Sequence, residues 1–182
     1  MSNEDLWVFG YGSLMWRPGF DYAERRPARL DGYRRRFCLD SITYRGTPAY
    51  PGLVLALDAE QGAWCDGVAY RAPQGRREEV HAYLRERELD TYAYVERFLP
   101  LTMKDGAVVE ALCYVMDVTC DQYRGGLDLA GQAEVIATAA GPAGTNAEYL
   151  ENTLDQLKAL DVVDEELTVI QGLVRQMKGT CA

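Results

Sequence analysis

The apolar pattern of this 182-residue chain changes character once, and that change limits the folds open to it. The first two-thirds reads as short apolar or alternating runs cut by Gly and Pro, and the last third carries the period of amphipathic helices. Leu6-Trp7-Val8-Phe9 is stopped by Gly10-Tyr11-Gly12-Ser13, a buried strand entering a glycine-bracketed loop. Tyr33 to Leu39, Leu53 to Leu57 and Gly67 to Arg71 read as further strands separated by Gly and Pro. Tyr92 to Met103 and Val108 to Asp117 flank Lys104-Asp105-Gly106, whose Asp-Gly pair signals a hairpin. Arg76 to Glu88 interrupts the strands with a helical period. A small-residue helix spans Ala130 to Ala140 and ends at Gly141-Pro142. Asn146 is read as the cap of a helix running to about Leu160, with Tyr149, Leu150, Leu154 and Leu157 on its apolar side. Asp164 caps a last helix carrying Leu167, Ile170, Val174 and Met177. This order suits an α+β fold, a small, mostly antiparallel sheet or barrel with helices packed around it. No repeat, low-complexity tract or linker divides the chain, so residues 1–182 are expected to form a single domain.

Composition narrows the function classes. Hydrophobic residues at 48% and charged residues at 26% are the balance of a folded globular protein. The net charge of −9 repels a phosphate backbone, so nucleic acid is not expected as a partner. The basic run Tyr33-Arg34-Arg35-Arg36-Phe37 reads either as a holder of a small anion or as a strand with two solvated arginines. No apolar run reaches the roughly 18 residues of a membrane span, and the start Met1-Ser2-Asn3-Glu4-Asp5 is acidic where a signal peptide is basic. No membrane partner and a cytoplasmic location are expected. Cys38, Cys65, Cys113, Cys120 and Cys181 form no C-x-x-C pair, which fits reduced thiols, with Cys113 a small core residue. The single histidine, His81, leaves no metal cluster, and its place off the apolar stripe reads as surface. An enzyme of this composition is expected to move protons with a carboxylate and to need neither metal nor cofactor.

Three segments bear on chemistry, of which Ala140 to Leu150 is read either as a helix stop, turn and helix start or as a segment whose Asn146 and Tyr149 present polar groups beside a pocket. Gly10-Tyr11-Gly12-Ser13-Leu14 is either an ordinary turn or a loop whose bare backbone N–H groups bind a carboxylate or an oxyanion. In the helix from Arg76, the stripe Val80, Tyr83, Leu84 continues to Arg87 and Glu88, while Glu78, Glu79 and Glu86 fall elsewhere. One carboxylate therefore faces the interior, where burial raises its pKa toward the range useful for proton transfer; pairing with an arginine is the structural alternative.

The run Tyr11-Gly12-Ser13-Leu14 with Met15-Trp16 resembles the N-terminal signature of the ChaC-type γ-glutamylcyclotransferases. The resemblance continues through Gly32-Tyr33-Arg34-Arg35-Arg36-Phe37, Arg45-Gly46-Thr47-Pro48, Pro51-Gly52 and Gly67-Val68-Ala69-Tyr70-Arg71. Arg87-Glu88 and the segment from Gly141-Pro142 to Asn146-Ala147-Glu148-Tyr149-Leu150 complete it, in order over nearly the whole chain. It implies a small β-barrel with surrounding helices and cofactor-free conversion of reduced glutathione to 5-oxoproline and Cys-Gly. It also implies that Tyr11, Gly12, Ser13 and Leu14 bind the γ-glutamyl group, that Glu88 is catalytic, and that Tyr149 lies near the substrate. Arg36 and Arg45 are candidates for a substrate carboxylate. Cys38, where an aromatic is expected, and Leu89-Asp90-Thr91, in place of a glycine-rich continuation, depart from the pattern and bear on substrate preference. The alternatives are a cyclotransferase for other γ-glutamyl amino acids or amines, and a non-catalytic regulatory protein that binds a γ-glutamyl ligand. Oligomeric state is not legible.

Overall fold

The computed structural model describes residues 5–90 and 92–179, so Met1 to Glu4, Thr91 and Cys181 lie outside the described residues. The chain divides into two compact units, Met1–Arg35 with Leu57–Cys120, and Arg36–Ala56 with Asp121–Ala182.

The first unit is built on strands β1 (Trp7–Gly10), β2 (Glu24–Ser41), β3 (Gly52–Arg71), β4 (Tyr94–Met103) and β5 (Val108–Met116). Among the described residues these close into a barrel in the order β1-β3-β2-β4-β5, and the ends of β2 and β3 at 36–41 and 52–56 belong to the second unit. The pairs β1–β3, β2–β4 and β4–β5 run antiparallel, whereas β1 and β5 pair in parallel from Trp7 opposite Ala111. Val8, Phe9, Leu57, Val68, Ala69, Leu101, Ala111 and Leu112 are wholly or almost wholly buried and form the barrel's core. A Cβ on Gly67 would lie 2.4 Å from the Gly10 carbonyl and 2.9 Å from the Phe9 ring, so only glycine lets β3 approach β1 there. Helix α1 (Arg77–Glu88) connects β3 to β4 and buries Val80 and Leu84.

β2 and β3 are longer than the sequence pattern suggests. The segments Leu53 to Leu57 and Gly67 to Arg71 are parts of one strand, whose middle, residues 59–62, is exposed. Its polar stretch reads as a loop, but β2 is its neighbour in the sheet, and Arg34–Glu60 and Arg29–Asp66 ion pairs join the two. The Asp-Gly hairpin is present: Met103 N–H donates to the Ala107 carbonyl at 2.7 Å, closing the turn between β4 and β5.

The second unit gathers α2 (Leu129–Thr138), the short strands β6 (Ala140–Gly141) and β7 (Gly144–Thr145), α3 (Asn146–Ala159) and α4 (Glu165–Gly179). The three helices pack on one another. Ala139 is extended, so α2 stops before Ala140 and the chain enters the β6–β7 pair. The cap of α3 is Thr145, not Asn146. Thr145 Oγ1 accepts from Glu148 N–H and the Glu148 carboxylate accepts from Thr145 N–H, a capping box. Asn146 is fully buried, with its amide taken by β3: Nδ2 donates to the Leu53 carbonyl at 2.7 Å and Oδ1 accepts from Leu53 N–H at 2.6 Å. Asp164 caps α4 as the sequence indicates. Among the described residues no helix is long and apolar enough to cross a membrane.

Candidate active site

β1 ends at Gly10 and the chain turns through a single 3-10 turn, Ser13–Met15. The turn's carbonyls are used within it: Gly12 O accepts from Met15 N–H, and Ser13 O from Trp16 and Arg17 N–H. The first N–H groups of such a turn have no acceptor inside it. Three side chains fix this segment. Arg35 Nε donates to the Tyr11 carbonyl at 2.7 Å, the Tyr11 hydroxyl donates to the Tyr114 carbonyl at 3.1 Å, and the Tyr70 hydroxyl donates to the Met15 carbonyl at 3.0 Å. Arg35 is 4% exposed while Arg34 and Arg36 beside it are half-buried, so one arginine of the run lies inward and two stay nearer solvent, as the strand reading expects. Strand alternation carried the signal, because Arg35 shares the face of the buried Phe37.

Glu88 is the last residue of α1, one helical face with Val80 and Leu84. Its side chain is 17% exposed, against 91% for Glu78 and 62% for Glu79, which is tied to Arg76. Burial raises the Glu88 pKa above the usual carboxylate range, and the Arg87 guanidinium opposes that rise. Arg87 Nε stands 3.1 Å from Glu88 Oε1, and Arg87 Nη2 donates to Ser13 Oγ at 3.2 Å. The turn and the carboxylate are thus joined through one side chain. Glu88 also adds to the field that raises the Tyr114 pKa, behind burial of the phenol and the charge of Glu96.

His81 departs from its surface reading. Its Nε2 is buried and lies 3.0 Å from Glu96 Oε2, and its ring stands edge-on to Phe98. The same Glu96 oxygen accepts from the Tyr114 hydroxyl at 3.2 Å. A helical wheel cannot show this, because β4 supplies the partners.

In the second unit, the Arg45 guanidinium lies over the Tyr149 ring at 5.6 Å, and its Nη1 donates to the Thr145 carbonyl at 3.1 Å. Tyr149 is 7% exposed and meets Phe37 edge-to-face. Arg36 Nη2 donates to the Gly125 carbonyl at 3.2 Å. Tyr11, Gly12, Ser13, Leu14 and Glu88 therefore belong to the first unit, and Arg36, Arg45 and Tyr149 to the second. Cys38, the departure noted above, is a wholly buried core residue. A cleft of about 320 Å³ in the first unit is lined by Gly19, Asp21, Arg76 and Tyr83 among others, and holds none of the site residues singled out from sequence.

The sequence profile described as ChaC-like protein matches residues 6–177. The chain belongs to the ChaC-like family. This ChaC-like chain is 37% identical over 94% of its length, and 74% of the relative's, to the glutathione-specific γ-glutamylcyclotransferase of Escherichia coli strain K12. It is 34% identical to γ-glutamylcyclotransferase 2-3 of Arabidopsis thaliana, covering 94% of this chain and 89% of that one. A crystal structure of a glutathione-specific γ-glutamyl cyclotransferase from yeast superposes with a TM-score of 0.86 at 26% identity, over 96% of this chain and 97% of that one. The barrel-and-helix fold of this family member is therefore that of a solved cyclotransferase.

Proposed function

We propose that this chain degrades reduced glutathione by γ-glutamyl cyclotransfer, with Glu88 as the proton carrier. The observation that supports it most is Glu88 itself, a half-buried carboxylate of raised pKa joined through Arg87 to the glycine turn. The family membership and the relatives' activity support the reaction class.

The substrate's α-amine attacks its own γ-carbonyl carbon. A C–N bond forms to close a five-membered lactam, and the bond from that carbon to the cysteinyl nitrogen breaks. Nucleophile and electrophile belong to one molecule, so the protein's main task is to hold the γ-glutamyl arm folded. The amine reaches the site as an ammonium and cannot attack until a proton is removed. The Glu88 carboxylate takes that proton and delivers it to the departing nitrogen, so each proton lost by one nitrogen reaches the other and Glu88 regains its charge. A carboxylate with an unperturbed pKa is too weak a base to take the ammonium proton well near neutrality, and burial strengthens it. The first N–H groups of the Gly12, Ser13 and Leu14 turn are proposed to hold the γ-oxygen or the α-carboxylate, with Tyr11 fixing the turn's entry. Tyr149 is proposed as a substrate-binding residue on the family resemblance, and Arg36 or Arg45 as the guanidinium fork for a substrate carboxylate.

The family match over residues 6–177 supports reading the chain as one γ-glutamylcyclotransferase-like domain. A cytoplasmic location is proposed with it, in keeping with a cysteine pattern that contains no C-x-x-C pair. The test of substrate is turnover to 5-oxoproline measured side by side for glutathione and γ-glutamyl dipeptides lacking the Cys-Gly portion. Higher kcat/KM for glutathione is expected. Equal or better turnover of the dipeptides would move the assignment to a general γ-glutamyl cyclotransferase.

A further inference from the structure

Adjacent residues on a helix point about 100° apart and do not normally face each other. Arg87 is long enough to defeat this, and its guanidinium reaches two places at once. Nε returns to Glu88 Oε1 at 3.1 Å. Nη1 donates to the carbonyls of Arg17 at 2.7 Å and Pro18 at 3.0 Å, and Nη2 donates to Ser13 Oγ at 3.2 Å. The Tyr83 hydroxyl, one turn earlier on α1, accepts from Nη1 at 3.3 Å. The approach is close: Gly19 has φ +77°, and a Cβ there would stand 1.9 Å from the Tyr83 hydroxyl and 3.2 Å from Arg87 Nη1. Backbone and side chain thus dock the segment after the glycine turn onto the end of α1 that carries Glu88.

We propose that Arg87 is a positioning residue for the cyclotransfer: its planar fork couples the Ser13–Pro18 segment to Glu88 and sets where the carboxylate stands relative to the turn. The inference rests on reading Glu88 as the proton carrier. It goes beyond a buried ion pair because the same group holds backbone of the loop. Guanidinium geometry matters here, since five donors lie in one plane at fixed angles. A lysine ammonium supplies the charge but cannot span Glu88, Ser13 Oγ and two carbonyls together.

Arg87→Ala and Arg87→Lys, checked for folding by circular dichroism, separate the two contributions when kcat/KM for glutathione is followed against pH. Arg87 opposes the rise in the Glu88 pKa, so Arg87→Ala is expected to move the acid limb to higher pH and to lower kcat by about 10²-fold, the scale of a misplaced catalytic group. Added guanidinium is expected to restore part of that kcat. Arg87→Lys is expected to leave the acid limb near its wild-type position while kcat stays depressed, showing that charge alone is not enough. A folded Arg87→Ala with the wild-type limb, or without guanidinium rescue, overturns the proposal. If Arg87→Ala does not fold, Arg87→Lys decides alone, and wild-type kcat in that variant is the contrary result. Glu88→Gln run alongside keeps the parent reading separate: if that variant stays active, the proton-carrier assignment fails, whereas its loss of activity with an unaffected Arg87→Lys sinks only the positioning role.

Discussion

Burial raises the Glu88 pKa, the Arg87 guanidinium lowers it, and burial wins. The folded protein therefore holds the Glu88 proton more tightly than the unfolded chain does. Below the unfolded pKa the carboxyl is neutral in both states and its contribution to stability is fully present. As pH rises through the raised folded pKa, that contribution is lost. A glutamine at this position stays neutral throughout. Glu88→Gln is accordingly expected to melt higher than wild type at neutral pH, with the difference shrinking as pH falls below the usual carboxylate range. Melting curves across pH check this, and a mutant less stable at every pH would contradict the burial argument. Glu88 was legible because a helical wheel separates it from Glu78, Glu79 and Glu86 before any contact is known. Arg35 was half-legible, since its place beside Phe37 in a period-2 pattern marks it as inward. The Glu96 partner of His81 was not, because it arrives from β4 through tertiary pairing alone.

At the scale of elements, the starts of α2, α3 and α4 follow local capping chemistry, and the strands follow their partners. Asp-Gly gave the β4–β5 hairpin, and Asp164 gave the start of α4, because each signal acts within a few residues. β3 was misread as two strands because its exposed middle owes its extended form to the neighbouring β2. The start of α3 shows how two adjacent polar residues divide the work. Thr145 caps the helix, whereas Asn146 binds both the N–H and the carbonyl of Leu53 from a fully buried position. Thr145→Ala is expected to cost about 1 kcal/mol, as the loss of an N-cap does. Asn146→Ala strands two buried backbone groups and is expected to cost more, about 1–3 kcal/mol for each. Urea denaturation of the two variants orders them, and a larger loss for Thr145→Ala would show the cap to be the stronger tie.

Over the whole chain, the order of motifs from Tyr11 to Leu150 carried more than any one of them. Each glycine turn or Arg-Glu pair has an ordinary structural explanation, but their sequence along the chain matches one family, and the profile match over residues 6–177 agrees. The α+β class and the barrel were legible from that order. The closure of the barrel by a parallel β1–β5 pair was not, since no hairpin signal marks strands so far apart in sequence. The account's central claim is that Glu88 moves the protons of an intramolecular aminolysis. It is tested most directly by 5-oxoproline release from reduced glutathione, measured for wild type and folded Glu88→Gln under the same conditions. The expected result is product from wild type and a loss of about 10²-fold or more in the mutant, which keeps the shape of the side chain but cannot carry the proton. Full activity in a correctly folded Glu88→Gln would contradict it.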